Sequence, residues 1–309
     1  MRIAILGSAA GGGFPQWNCA CGNCSSLRAG SFTGKARTQA QIAITDDNGS
    51  WFLLGASPEL RAQIEASPEL HPGDGVRHSP IAGVVLTSGD LDHVLGLLLL
   101  RELQPLRIYA TASIRRLLRE DNLMFTMLNR AADQARWTDV VPGKTFALAS
   151  PDEKTSGLMC EAIPLSSRYP AYVPRHRASQ LSPCEAVLGI IIQDTAGNRL
   201  GYFPAVPDVD DGLLHLLEST DLLFFDGTFW SDDELMQVQS GTSTAREMGH
   251  IPVSSARGSL ARLAELRRPR KFFLHVNNTN PMLDESGPEY REVTAAGWEI
   301  AEDGWNIQL

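Results

Sequence analysis

Three apolar segments of this 309-residue chain end in side chains able to ligate a metal. "VVLTSGDLDH" delivers Asp92 and His93, "LLFFDG" delivers Asp226, and "FFLHVNN" delivers His275. A carboxylate beside an imidazole at the end of a buried strand is a typical oxygen and nitrogen ligand pair for a divalent cation. The carboxyl ends of core strands form the usual crevice of an α/β architecture, so these four residues are expected to converge there. Taken singly, each has a plainer reading: Asp226 caps the following turn, and His275 is a hydrogen-bonded core histidine. Recurrence at three strand ends favours the metal.

A second cluster has different chemistry. Cys19, Cys21 and Cys24 fall within "WNCACGNC", three thiols in six residues, whereas Cys160 and Cys184 stand alone and read as small buried apolar residues. Cysteines this close form strained loops if paired as disulfides. A tight turn can instead gather three thiolates around one Zn²⁺, which then pins the loop, so a structural zinc is expected; redox chemistry or accidental clustering is the alternative. The fourth ligand is not local. The zinc would therefore tie remote parts of the chain together.

These residues need a framework to hold them. "RIAILGS", "QAQIAITDD" and "WFLLGA" read as strands, the last two joined through "DDNGS" as a hairpin, and "GVVLTS" as a buried strand feeding the acidic knot. "SPELRAQIEAS", with Ser57 as N-cap, "ASIRRLLRE" and "SSARGSLARLAEL" carry helical patterns. "PDEKTSG" and "SSRYPAYVPRHRASQLSP" are polar connections, the second long enough for a lid or substrate loop. "AVLGIIIQDTAGNRLGYFPAV" reads as strand, turn and return strand, and "DLLFFDGTF" and "RKFFLHVNNTN" as core strands. Strands mixed with helices, with early and late hairpins, predict an α/β fold of two packed sheets flanked by helices in a single domain, 1–309.

Composition removes several classes of function. A formal charge of −9, from 27 Lys and Arg against 36 Asp and Glu, with no basic run, argues against nucleic acid. "GLLLL" is cut off by Arg101 and Glu102 well short of the roughly 20 residues a bilayer span needs. "MRIAILGSAAGGG" reads as a first strand rather than a signal peptide, which makes a cytoplasmic location the expectation. "GSAAGGGFPQ" lacks the lysine and spacing of a phosphate loop, and its glycines are expected to allow close backbone approach to the metal crevice. His71, His78, His176 and His215 match no motif and are expected at the surface.

The order of "LTSGDLDH", "LLFFDG" and "FFLHVN" resembles the metallo-β-lactamase superfamily, whose first motif is T-H-x-H-x-D-H. "GSAAGGGFPQWNCACGNC", "FDGTFWSDDE", "REMGH" and "HVNNTNP" together resemble, over the whole chain, a pyrroloquinoline quinone (PQQ) biosynthesis family within it. The resemblance implies a four-layer αββα sandwich and a role in making PQQ from a cross-linked glutamate and tyrosine. Here Ser88 and Asp90 replace the paired histidines, and "IPLSSRYP" offers Ser166, Ser167 and Arg168 where a third would be sought. The second ligand set remains: Asp92, His93 and His275, with Asp226 nearby and Asp90 as an extra oxygen donor. One metal held by two imidazoles and carboxylate suits non-haem Fe(II) and O₂ chemistry better than two-metal hydrolysis, without excluding zinc.

The relatives also carry a histidine in a segment like "MGHIPVSS", which implies a proton-moving or phenol-holding role for His250, with a helix-capping histidine as the alternative. Arg246 and Glu247 are candidates for binding the amino and carboxyl groups of an amino-acid or peptide-derived substrate, or are a solvated charge pair. In relatives with a similar cysteine turn the fourth zinc ligand lies three residues after the last metal-binding histidine, a position that here holds Asn278. An amide oxygen is a poor zinc ligand beside thiolates, so Asn278 either ligates weakly or orients a thiolate while another group or water completes the site. The expected reaction is hydroxylation of the tyrosine ring of a Glu-Tyr derived intermediate. A metal-dependent hydrolase and a non-catalytic carrier of PQQ or its precursor are the alternatives, and other pathway proteins are expected partners.

Overall fold

The computed structural model describes residues 1–309 apart from 47, 48, 74 and 133. Backbone contacts divide the chain into two compact units, each assembled from separate stretches. The first comprises 1–6, 41–198 and 304–309, and the second 7–40 and 199–303.

The first unit is built on the sheet order Asn306–Gln308, Arg2–Gly7, Gln41–Thr45, Trp51–Leu54, Ile81–Val85, Leu106–Ala110, Ala135–Asp139. Gln41–Thr45 and Trp51–Leu54 pair antiparallel, as expected of the hairpin; its turn falls partly outside the described residues. Trp51–Leu54, Ile81–Val85, Leu106–Ala110 and Ala135–Asp139 run parallel. All five residues of Ile81–Val85 are buried, as a continuous apolar run covered on both faces requires. Thr145–Ala149, Thr155–Ser166 and Val187–Gln193 form an antiparallel trio in the same unit.

The second unit centres on four parallel strands, Arg199–Phe203, Leu222–Asp226, Arg270–Leu274 and Trp298–Ile300. Successive phenylalanines in "LLFFD" and "KFFL" point to opposite faces, so both faces are apolar. Phe224 and Phe272 meet at 5.3 Å on one side, and Phe273 stacks on Trp298 at 4.1 Å on the other. Each such ring contributes roughly 1.5–3 kcal/mol by leaving water, which makes these strands a rigid base for the residues at their ends.

Local structure departs from the sequence pattern in two places. "SSARGSLARLAEL" forms only the short helix Ser259–Arg262. Gly258 packs so tightly on the Ser254 carbonyl that a Cβ has no room, and Ser255 adopts φ +92°, so no helix can run through this turn. The Ser57 hydroxyl accepts from the Glu59 amide in a turn that precedes the helix Leu60–Ala66, two residues ahead of the cap position at Glu59. Among the described residues no helix is long and apolar enough to cross a membrane.

Candidate functional site

In the first unit, the strand Ile81–Val85 runs through Leu86 and Thr87 into the knot that carries Asp90, Asp92 and His93. The Ser88 hydroxyl donates to Asp90 Oδ2 at 2.9 Å and accepts from the Asp90 amide, closing a small turn. Asp92 and His93 then fall in the first turn of the helix Leu91–Val94. His93 Nε2 lies 3.7 Å from Asp92 Oδ2, too long for a hydrogen bond and close to the separation of two ligands on one cation, about 3–3.5 Å.

Neighbouring backbone clamps this helix. The Ala56 amide donates to the His93 carbonyl at 2.7 Å, and the Gly96 amide to the Ala56 carbonyl at 2.8 Å. Gly55, at φ +84°, leaves room for the imidazole, because a Cβ there would stand 3.3 Å from His93 Nδ1. Tyr172, in the long polar connection, donates its hydroxyl to the Gly89 carbonyl at 2.7 Å and so fastens that connection to the knot. Burial, reinforced by the Asp90 charge, pushes the Tyr172 phenol up to about 12 and keeps it a donor.

In the second unit, register places Asp226 opposite Leu274, so Asp226 and His275 leave adjacent parallel strands together. His275 adopts φ +61°, a left-handed conformation costing roughly 1 kcal/mol or more for a non-glycine residue. The turn lets Val276 bond the N-terminal loop: its amide donates to the Ser8 carbonyl at 3.0 Å, and the Ala10 amide donates to its carbonyl at 2.9 Å. The glycine-rich stretch thus runs beside the residue that follows His275, in keeping with its expected close approach.

His250 follows the short helix Ala245–Met248, whose end is turned by Gly249 at φ +95°. It is not a surface cap. Its Nδ1 lies 2.8 Å from Asp226 Oδ2 and 3.1 Å from Thr228 Oγ1, and its ring stacks on His275 at 5.5 Å. Asp226 is fully buried and accepts from the Val206 amide, the Thr228 amide, the Thr228 hydroxyl and His250. Four donors match the lone-pair capacity of a carboxylate. As placed, Asp226 serves as the orienting partner of His250. Asp226, His250 and His275 nonetheless offer ligand atoms within 4.8 Å of one another.

Arg246 and Glu247 have local structural tasks. Glu247 completes a capping box with Thr244, and the Arg246 guanidinium donates to the Arg257 carbonyl at 2.7 Å.

Cys19, Cys21 and Cys24 bring their sulfurs within 4.8 Å of one another where the loop enters the helix Gly22–Arg28. The Asn278 carboxamide occupies the fourth corner, its nitrogen 3.1 Å from Cys19 Sγ, 3.4 Å from Cys24 Sγ and 3.7 Å from Cys21 Sγ. Burial pushes the Cys24 thiol up to about 11, helped by the Cys21 thiol beside it. Burial also raises Cys19, but hydrogen bonds from the Cys21 amide, the Cys21 and Cys24 thiols and Asn278 outweigh it and leave Cys19 below the usual thiol range. One thiol poised to ionise beside one that resists is what a soft cation resolves, since it takes all three as thiolates. Three thiols gathered in this way fit zinc, and the Asn278 carboxamide, whose nitrogen faces the sulfurs, stands beside them as a fourth ligand or as an orienting hydrogen-bond donor.

Sequence reasoning missed Thr228, Glu234 and Asn280. Asn280 donates to the Gly227 carbonyl at 3.0 Å, and the Asn277 amide donates to the Thr228 carbonyl at 3.0 Å, locking the loop after His275 to the loop after Asp226. Glu234 is buried and accepts from Thr279 and from the Trp230 amide. Desolvation pushes its carboxyl up to about 7 against those hydrogen bonds. Only the repeated Asn and Thr of "NNTN" hinted that this loop was held by side chains.

Comparison with known proteins extends the picture. The beta-lactamase superfamily domain matches residues 50–276. The chain is 41% identical over 309 residues, covering all of both chains, to coenzyme PQQ synthesis protein B of Methylorubrum populi, and equally to that of Methylobacterium nodulans. The crystal structure of Zn²⁺-bound PqqB from Methylobacterium extorquens aligns with a TM-score of 0.91 at 40% identity, covering both chains fully. A diphosphatase of the PhnP family aligns at a TM-score of 0.64 and 18% identity over all of this chain and 97% of its own, a likeness of fold alone. The architecture is accordingly the metallo-β-lactamase fold, two sheets flanked by helices. With identity of this order along its whole length, the chain belongs to the coenzyme PQQ synthesis protein B family of the beta-lactamase superfamily.

Proposed function

We propose that this protein acts in PQQ biosynthesis as a non-haem iron- and O₂-dependent hydroxylase of the tyrosine ring of a Glu-Tyr derived intermediate. The observation that carries the chemistry is the selective ligand loss: Ser88 and Asp90 stand where the superfamily motif has paired histidines, while Asp92, His93 and His275 remain. Two imidazoles and a carboxylate, with Asp90 as an auxiliary oxygen donor, fit a single Fe(II), while the paired histidines of the superfamily's other metal position are absent. When bound, that metal supplies the activation of O₂.

The residues of this chain supply the rest. His250, held at Nδ1 by Asp226, presents Nε2 as the atom that accepts or holds the phenol proton. The Tyr172 hydroxyl fastens its loop to the acidic knot. The substrate is small and amino-acid or peptide derived, other proteins of the pathway supply it, and the zinc among Cys19, Cys21, Cys24 and Asn278 fixes the loop that follows His275.

The test is anaerobic reconstitution with Fe²⁺, followed by O₂, an added two-electron reductant such as ascorbate, and tyrosine-containing peptides. Oxygen uptake coupled to a gain of one oxygen atom on the ring, with the second atom reduced to water by the added reductant, supports the reading. Two catalytic metals per chain beyond the cysteine zinc, with hydrolysis and no oxygen uptake, overturns it.

A further inference from the structure

We infer that Thr228 is a positioning residue that fixes the tautomers of His250 and His275 together, so that both rings carry their proton on Nδ1 and present the Nε2 lone pair. Its hydroxyl lies 2.6 Å from Asp226 Oδ1, 2.8 Å from His275 Nδ1 and 3.1 Å from His250 Nδ1. A hydroxyl has one proton and two lone pairs. Asp226 Oδ1, as a carboxylate oxygen, can only accept, so the 2.6 Å contact takes the hydroxyl proton. Oγ1 is then left with lone pairs alone, and His275 Nδ1 at 2.8 Å must be the donor. The same logic governs His250, whose Nδ1 faces Asp226 Oδ2 at 2.8 Å as well as Oγ1.

The arrangement is rigid because Thr228 is almost fully buried and its backbone is bonded on both sides. Its amide donates to Asp226 Oδ1 at 3.0 Å, and its carbonyl accepts from the Asn277 amide at 3.0 Å. Thr228 therefore sets the His275 imidazole and, together with Asp226, that of His250. The hydroxyl stands to His275 as the outer hydrogen-bond partner stands to a metal-ligating histidine elsewhere, and losing such a partner typically weakens metal binding 10–100-fold.

The experiment is long-range ¹H–¹⁵N spectroscopy of the metal-free protein labelled at histidine, held well above the ordinary imidazole pKa of about 6.5. In the unmutated chain His250 and His275 should both show the Nδ1–H pattern; an Nε2–H form of either overturns the inference without any variant. Thr228→Val should shift His275 toward the Nε2–H form and weaken Zn²⁺ binding at that site about 10–100-fold, while Thr228→Ser keeps both tautomers and near-normal affinity. A folded Thr228→Val protein with both tautomers unchanged also overturns it. The affinity part rests on the metal role proposed for His275. A tautomer shift with unchanged affinity would uphold Thr228 as the positioning residue and remove His275 from the ligand set.

Discussion

The Asn278 carboxamide meets Cys19 Sγ at 3.1 Å across 259 residues of sequence. That contact lies only three residues beyond His275, so the cysteine cluster and a candidate catalytic ligand share one loop. The loop is further pinned by Asn23, which donates to the carbonyls of Asn278 and Asn280 at 3.2 and 3.0 Å.

Cys21→Ser is therefore expected to lose one equivalent of zinc per chain and to lower the melting temperature by several degrees. It should also weaken the second metal, although it touches none of that metal's ligands. Metal analysis beside thermal unfolding checks this. Retention of both metals at unchanged stability would remove the cysteines from any structural zinc site.

The left-handed backbone at His275 separates two effects of replacing it. His275→Ala and His275→Gly should both abolish metal binding at the catalytic site and oxygen uptake. In denaturant, however, the glycine variant should be the more stable by about 1 kcal/mol, because glycine adopts φ +61° without strain. Equal midpoints would show that the conformation costs nothing.

Asp226→Ala should be among the most damaging substitutions in the second unit. It strands two backbone amides, a hydroxyl and an imidazole N–H in a buried setting, a loss of about 3–5 kcal/mol. Asp226→Asn retains one acceptor oxygen and should fold better, yet lose hydroxylation by about 10²-fold or more because His250 is misoriented. Urea unfolding and turnover, measured on both variants, separate the two contributions.

Glu234 provides a pH dependence of definite sign. Its folded-state carboxyl sits near 7, above the ordinary 4.5, so between those values the folded chain holds a proton that the unfolded chain has released. Its contribution to stability is then complete below about pH 4.5 and is lost as pH rises through about 7, to the extent of a few kcal/mol. Glu234→Gln, which mimics the protonated acid, should flatten the stability profile across that window. Urea midpoints from pH 4.5 to 8 provide the measurement.

Much of the site was legible because chemistry-bearing residues stand at the ends of apolar runs. Period and composition identified the strands ending at Val85, Asp226 and Leu274, and the spacing of three thiols singled out the cysteine turn whose sulfurs the fold gathers. The likeness of "MGHIPVSS" to relatives singled out His250. Tertiary structure decided which donor faces which acceptor. That Asp226 spends both oxygens on four donors, that Glu247 caps a helix, and that Thr228 stands between two imidazoles depend on strand register and on residues tens of positions apart. A threonine after Asp-Gly has no periodicity to betray it, and "SSARGSLARLAEL" looked helical because its pattern says nothing of the Ser254 carbonyl pressed against Gly258. Sequence determined the inventory of ligands, since burial and side-chain chemistry are properties of local pattern. Only the folded chain decided their protonation and partners, since these are set by contacts of a few ångströms that no local pattern encodes.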